Sequence, residues 1–137
     1  MRIGKYIETR WFKKRFLYAL PPSTEPRSFT PGDKFLLDTE TEEPQKGLFI
    51  TTFSLLCKET QLKAAYTFVA CNCSESVFWH DNVPLSPGGA LIYRSFVEPD
   101  FRGNKLYVLL LNLVTVYFAE QTQNKPEMYY AVIEESN

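Results

Sequence analysis

The sequence predicts an α+β domain in three layers, with a mixed, mostly antiparallel sheet and a β-α-β unit at its C-terminal end. Two patterns carry this expectation. Residues 34–71 hold apolar runs with two-residue alternation and turn signals between them, which is how antiparallel strands read. Residues 90–97, a Pro-containing turn, the apolar run 106–119 and residues 128–133 then follow in the order strand, helix, strand. At 137 residues the chain has the length of one domain, so residues 1–137 are expected to share one core.

Residues 8–20 set Trp11, Phe12, Phe16 and Leu20 among Arg10, Lys13, Lys14 and Arg15, a mixture compatible with an amphipathic helix or a strand; helix is favoured. Pro21, Pro22, Pro26, Pro31 and Gly32 then break regular structure. Phe35, Leu36 and Leu37 read as a short strand, followed by an exposed acidic connection over residues 38–45. The β-branched and aromatic run Leu48–Cys57 is a stronger strand, and residues 58–61 turn it into another at 62–71. In that second strand Ala64, Tyr66, Phe68 and Ala70 share one face by period-two counting, and the two strands form a hairpin.

Residues 72–89, with Pro84, Pro87, Gly88 and Gly89, read as a loop with one brief strand at 76–79. The strand at 90–97 and the strand at 128–133 are expected to be parallel neighbours joined by the helix, the sheet carrying helices on its faces. That helix, Leu106–Ala119, is apolar nearly all round and so buried, by the sheet on one side and by a partner chain on the other. It is shorter than the roughly 18 apolar residues a membrane span needs, and no membrane partner is expected.

A net charge of -1 gives no global field toward nucleic acid, and the basic and aromatic cluster at residues 10–16 is read as one apolar and one solvated helix face. Cys57, Cys71 and Cys73 are an odd set without a secretory leader pattern, which suggests a reducing, cytoplasmic setting. Cys71, Cys73 and His80 match no usual zinc spacing, and no metal is expected.

The chemistry concentrates in residues 91–121. A strand breaks at Pro99, passes Arg102, Gly103, Asn104 and Lys105, and enters the helix. The first amides of a helix lack internal partners and its dipole adds partial positive charge there, so this junction is an anion site. Arg102 and Lys105 add full charges, and Gly103 allows close approach to the backbone.

Residues 91–137 resemble the GCN5-related N-acetyltransferase superfamily, whose signature is a strand ending in a Val-x-Pro turn and an Arg-x-x-Gly-x-Gly/Ala loop opening a helix. Val97-Glu98-Pro99-Asp100-Phe101-Arg102-Gly103 matches the turn and the start of the loop. Leu106, Leu109 and Leu110 fall at its buried aliphatic positions, and the segment from Tyr130 to Asn137 resembles its fifth strand. The resemblance implies a domain that binds acetyl-coenzyme A and moves its acetyl group to an amine of a small molecule or protein by direct attack, without metal. Phe96 and Val97 would then give backbone bonds to pantetheine. Arg102, Gly103, Asn104, Lys105, Leu106 and Tyr107 would wrap the pyrophosphate, and Asn137 would approach the pantetheine from the next strand.

Two departures qualify that pattern. Lys105 and Tyr107 stand where the loop has glycines, and both are expected in helical φ/ψ. The chain also ends at Asn137, so the family's following helix and last two strands, with a tyrosine that often serves as general acid, have no counterpart after it. Either the chain is a truncated or divergent member, or another chain completes the site, the case in which a homo-oligomer with a swapped or shared sheet is expected. Glu98, Glu134 and Glu135 lie near strand ends around the site, but no catalytic residue is assigned. The alternative from another class is a non-catalytic member that binds coenzyme A or serves protein assembly.

Overall fold

The apolar, β-branched and aromatic runs within residues 35–57, 63–72 and 89–97 form strands, and in the computed structural model they build the centre and one side of a seven-stranded sheet. The structure describes residues 4–9, 14–20, 34–103, 105–121 and 125–134. In chain order the strands are β1 (Gly4–Thr9), β2 (Lys14–Leu20), β3 (Phe35–Gln45), β4 (Leu48–Cys57), β5 (Lys63–Asn72), β6 (Phe78–His80), β7 (Val83–Leu85), β8 (Gly89–Val97) and β9 (Met128–Glu134). A 3-10 turn, Pro99–Phe101, and the helix α1, Leu106–Ala119, join β8 to β9. The sheet runs β1-β2-β9-β8-β5-β4-β3; β8 and β9 are parallel and every other pair is antiparallel. The fold is mixed α+β, mostly antiparallel, with one helix among the described residues.

The N-terminal segment corrects the sequence expectation. Residues 14–20 form a strand, not part of a helix, paired from Arg15↔Glu134 to Leu20↔Tyr129. A short isolated helix is marginal, whereas the ladder along β9 gives these residues backbone partners at once, so tertiary pairing overrides local preference. Residues 10–13 and 21–33 lie outside the described residues. Within the chain itself, β2 covers the outer edge of β9.

The acidic segment also differs. β3 continues through residues 38–45 because Asp38 to Glu42 pair with Ser54 to Ile50, and Pro44 sits where that pairing slips. As the outermost strand β3 presents an open edge, which exposed carboxylates at Asp38, Glu40, Glu42 and Glu43 guard against pairing with another chain.

Apolar residues fill both faces of the sheet, which explains the nearly continuous apolar runs in β5 and β8. Phe53, Val69, Ile92 and Ala131 face Leu110, Val114 and Phe118 of α1. Their strand neighbours Ala70, Leu91 and Val132 face the opposite way, with Tyr93 and Phe68, toward Val83 and Leu85 of β7. The expected shared face of Ala64 with Phe68 and Ala70 fails at a slip between Leu55 and Leu56, which turns Ala64 and Ala65 alike toward the helix side. Asn112 and Thr115 are buried by the chain's own residues, and the Thr115 hydroxyl donates to the Asn112 carbonyl at 2.8 Å.

The second face is covered not by a helix but by the β6–β7 ribbon, folded from the segment expected to be a loop. Its tip, Asp81-Asn82, takes positive φ at both residues (49 and 62), as a two-residue hairpin with the strands' own twist requires. The base of this excursion is tied by Asn72, which is 1% exposed. Its amide nitrogen donates to the Ser76 carbonyl at 2.7 Å and the Leu85 carbonyl at 2.8 Å, while its oxygen accepts from the Ser74 N–H at 2.9 Å and hydroxyl at 2.7 Å. All four bonding positions of the amide are used.

Replacing Asn72 by alanine leaves the buried Leu85 carbonyl without its side-chain donor. A loss of about 1–3 kcal/mol in urea unfolding is expected, with an unchanged m value. Burial also pushes the Cys71 thiol up to about 12 and the Tyr93 phenol up to about 12, and it raises Tyr129. These groups are neutral in both states below their unfolded values of about 9 for the thiol and 10 for the phenols. Their stabilisation is therefore complete below pH 9 and, for Cys71 and Tyr93, is lost as pH rises through about 12. Chemical denaturation should show stability falling in that window by up to about 1.4 kcal/mol per pH unit for each group held neutral only in the folded state.

Candidate functional site

Two polar residues, Arg94 and Ser95, interrupt an otherwise apolar β8, and the strand departs from regularity there. Tyr66 pairs with Phe96 and Phe68 with Tyr93, so Arg94 and Ser95 together oppose Thr67 in a bulge, with Arg94 at φ 52. Beyond the bulge β8 leaves its parallel neighbour. Their pairing runs from Gly89↔Met128 to Ile92↔Ala131 and stops, although β8 continues to Val97 and β9 to Glu134. β9 keeps its ladder with β2 as far as Glu134, so the gap opens on the β8 side alone.

Past Val97, the Glu98 N–H donates to the Ala64 carbonyl on β5 at 2.8 Å. The two polar groups of a trans peptide point in opposite directions, so the Val97 carbonyl faces away from β5, into the gap. The 3-10 turn then closes with the Phe101 N–H donating to the Glu98 carbonyl at 2.9 Å. Gly103 follows at φ 89, where an added Cβ would meet nothing within 4 Å. Lys105 is the helix N-cap at φ 57 and ψ 33, which corrects the expectation that it is helical; this left-handed conformation is the one its missing glycine would take without strain. The amides of Leu106, Tyr107 and Val108 open α1, and the side chain of the N-cap residue Lys105 makes no capping bond to them.

The expected ligand-binding residues are therefore brought together only in part. Phe96, Val97 and Arg102 touch. Arg102 Nε donates to the Val97 carbonyl at 3.1 Å, and its guanidinium lies 5.7 Å above the Phe96 ring, which stacks on Tyr66 at 5.7 Å. The Leu106 side chain points into the core. Tyr107 packs against the same core; burial raises its phenol above the ordinary value, and a hydrogen bond with Ser95 opposes that rise. Asn104, Glu135 and Asn137 lie outside the described residues.

Ser95 and Thr67 were not indicated by any sequence motif. Their hydroxyls are 2.6 Å apart, and Thr67 donates at 3.4 Å to the Tyr93 carbonyl. This relay of two hydroxyls ties β8 to β5 across the bulge. The signal available in the sequence was the polar pair Arg94-Ser95 inside an apolar strand, which alternation counting passes over.

A separate cleft of about 790 Å³ lies between Lys34 and Phe35, the β4–β5 turn and the 3-10 turn, lined also by Cys57, Lys58, Glu59, Asp100 and Phe101. Hydrogen bonding from Thr60 holds the Cys57 thiol below its ordinary value. His80 is not gathered with Cys71 and Cys73; its ring stands edge-on to Tyr93 at 4.8 Å, and no group of three metal-ligating side chains converges among the described residues. No helix among them is long and apolar enough to cross a membrane.

No protein-family model matches the chain, and no curated protein or solved structure matches it either. Fold and site define an α+β domain in which a helix N-terminus stands beside a parallel strand pair that has come apart.

Replacing Ser95 by alanine breaks the relay and leaves the buried Thr67 hydroxyl with its long bond to Tyr93 alone. The expected cost is about 1–3 kcal/mol in denaturant unfolding. An alkaline absorbance titration should also show Tyr107 ionising at higher pH than in the parent, since the bond that opposes its rise is gone.

Proposed function

We propose that the chain binds acetyl-coenzyme A and transfers its acetyl group to an amine. The observation that carries this reading is the separation of β8 from β9 after Ile92↔Ala131, beside the start of α1. A strand edge left free within a sheet accepts an extended amide-bearing chain as it would another strand, and the N-acetyltransferase resemblance assigns that place to the pantetheine arm. The residues present fit such a ligand. The Val97 carbonyl faces the gap, the surroundings of Gly103 are open, and the first-turn amides of α1, which Lys105 does not cap, suit a pyrophosphate.

In this reading the free edge of β8 aligns the thioester, and the helix start with Arg102 and Lys105 holds the phosphates. The amine nitrogen attacks the thioester carbonyl, a C–N bond forms and the C–S bond breaks. The amine's proton is lost to a base and the departing sulfur takes up a proton. A non-catalytic coenzyme A-binding role is the second reading. It is favoured by Tyr107, which stands at the loop's last glycine position and packs a bulky side chain against the core there.

Acetyl-coenzyme A at a hundredfold excess over its Kd should stabilise the native state by about 2.7 kcal/mol in thermal unfolding. With primary amines supplied, free coenzyme A thiol should appear above the signal of the protein's own cysteines. Stabilisation without thiol release selects the non-catalytic reading, and no stabilisation at millimolar coenzyme A overturns both.

A further inference from the structure

We propose that Arg102 is a latch that occupies the β8 edge in the unliganded protein and exchanges that contact for phosphate when a nucleotide-bearing thioester binds. The inference rests on the coenzyme A reading above. Three observations carry it. The Glu98 N–H is committed to Ala64, which directs the Val97 carbonyl into the gap, and Arg102 Nε holds that carbonyl at 3.1 Å. The same guanidinium lies 5.7 Å above Phe96, the neighbouring residue on that edge. Arg102 is itself exposed, on the short loop between the 3-10 turn and the α1 N-cap, so its side chain can turn toward the helix without moving the sheet.

The latch gives one side chain two opposite effects on one ligand. Against the pantetheine half, Arg102 competes for the Val97 carbonyl; toward the pyrophosphate half, it supplies a charge-assisted bond. A ligand lacking phosphate must break the first contact and gains nothing from the second. Arg102 thereby favours the complete coenzyme over its phosphate-free fragment by closing the edge to the fragment.

The test measures calorimetric affinities of coenzyme A and of pantetheine for the parent protein and for Arg102→Ala, with circular dichroism as a check on folding. Arg102→Ala should weaken coenzyme A binding by about tenfold or more. The same variant should tighten pantetheine binding by about fivefold, the effect of freeing one carbonyl acceptor. Pantetheine affinity that is unchanged or reduced in the variant, while the parent binds coenzyme A, overturns the latch and leaves the coenzyme A reading standing. Unchanged coenzyme A affinity also overturns the latch, since Arg102 then makes no phosphate contact. A parent protein that binds neither molecule overturns both readings.

Discussion

The bulge at Arg94 and Ser95 is the constraint on which the candidate site depends. Two residues facing Thr67 alone turn the rest of β8 away from the line that β9 follows, and a parallel pair that began in register comes apart after four residue pairs. Had β8 remained regular, its far half would have spent its backbone groups on β9 and there would be no free edge. The irregularity is held in place by the hydroxyls of Ser95 and Thr67 on one face and by the ion pair of Arg94 with Asp81 at 3.3 Å. The exposed ion pair contributes little by itself; the part-buried hydroxyl pair is the stronger tie.

What the sequence made legible follows the strength of each local signal. The helix bounds, Leu106 to Ala119, and the β4–β5 hairpin were readable because long apolar runs with clear turn residues leave few alternatives. β2 was not, since the mixed basic and aromatic pattern around it suits either period, and what decides is β9, which is more than a hundred residues away. β3 was cut short for a related reason: acidic residues usually mark a connection, yet on the outermost strand they are a favourable choice. At the site, Arg102 and the Pro99 turn stood out by charge and backbone restriction. Ser95, Thr67 and the left-handed Lys105 did not, because hydroxyl relays and φ signs depend on neighbours brought together by folding.

The two faces of the sheet are closed by different means. On one, α1 supplies aliphatic and aromatic packing, including Phe53 edge-on to Tyr117 and Phe118 at 5.2 and 5.9 Å. On the other, a ribbon of two three-residue strands does the same work, although so small a hairpin has little stability of its own. It holds because Leu85 is fully buried beneath it and Asn72 fixes both ends of its excursion. A polar side chain thus makes an apolar cover possible.

The placement of β2 on the outer side of β9 has a kinetic meaning. Register pairs such as Arg15↔Glu134 join opposite ends of the described chain, whereas β3, β4 and β5 pair with near neighbours. Loop closure across so many residues is entropically costly and is rewarded only once β9 is already seated beside β8. The β1–β2 hairpin is therefore the last part of the sheet to dock, and the side of β9 away from the candidate site stays open until folding is nearly complete.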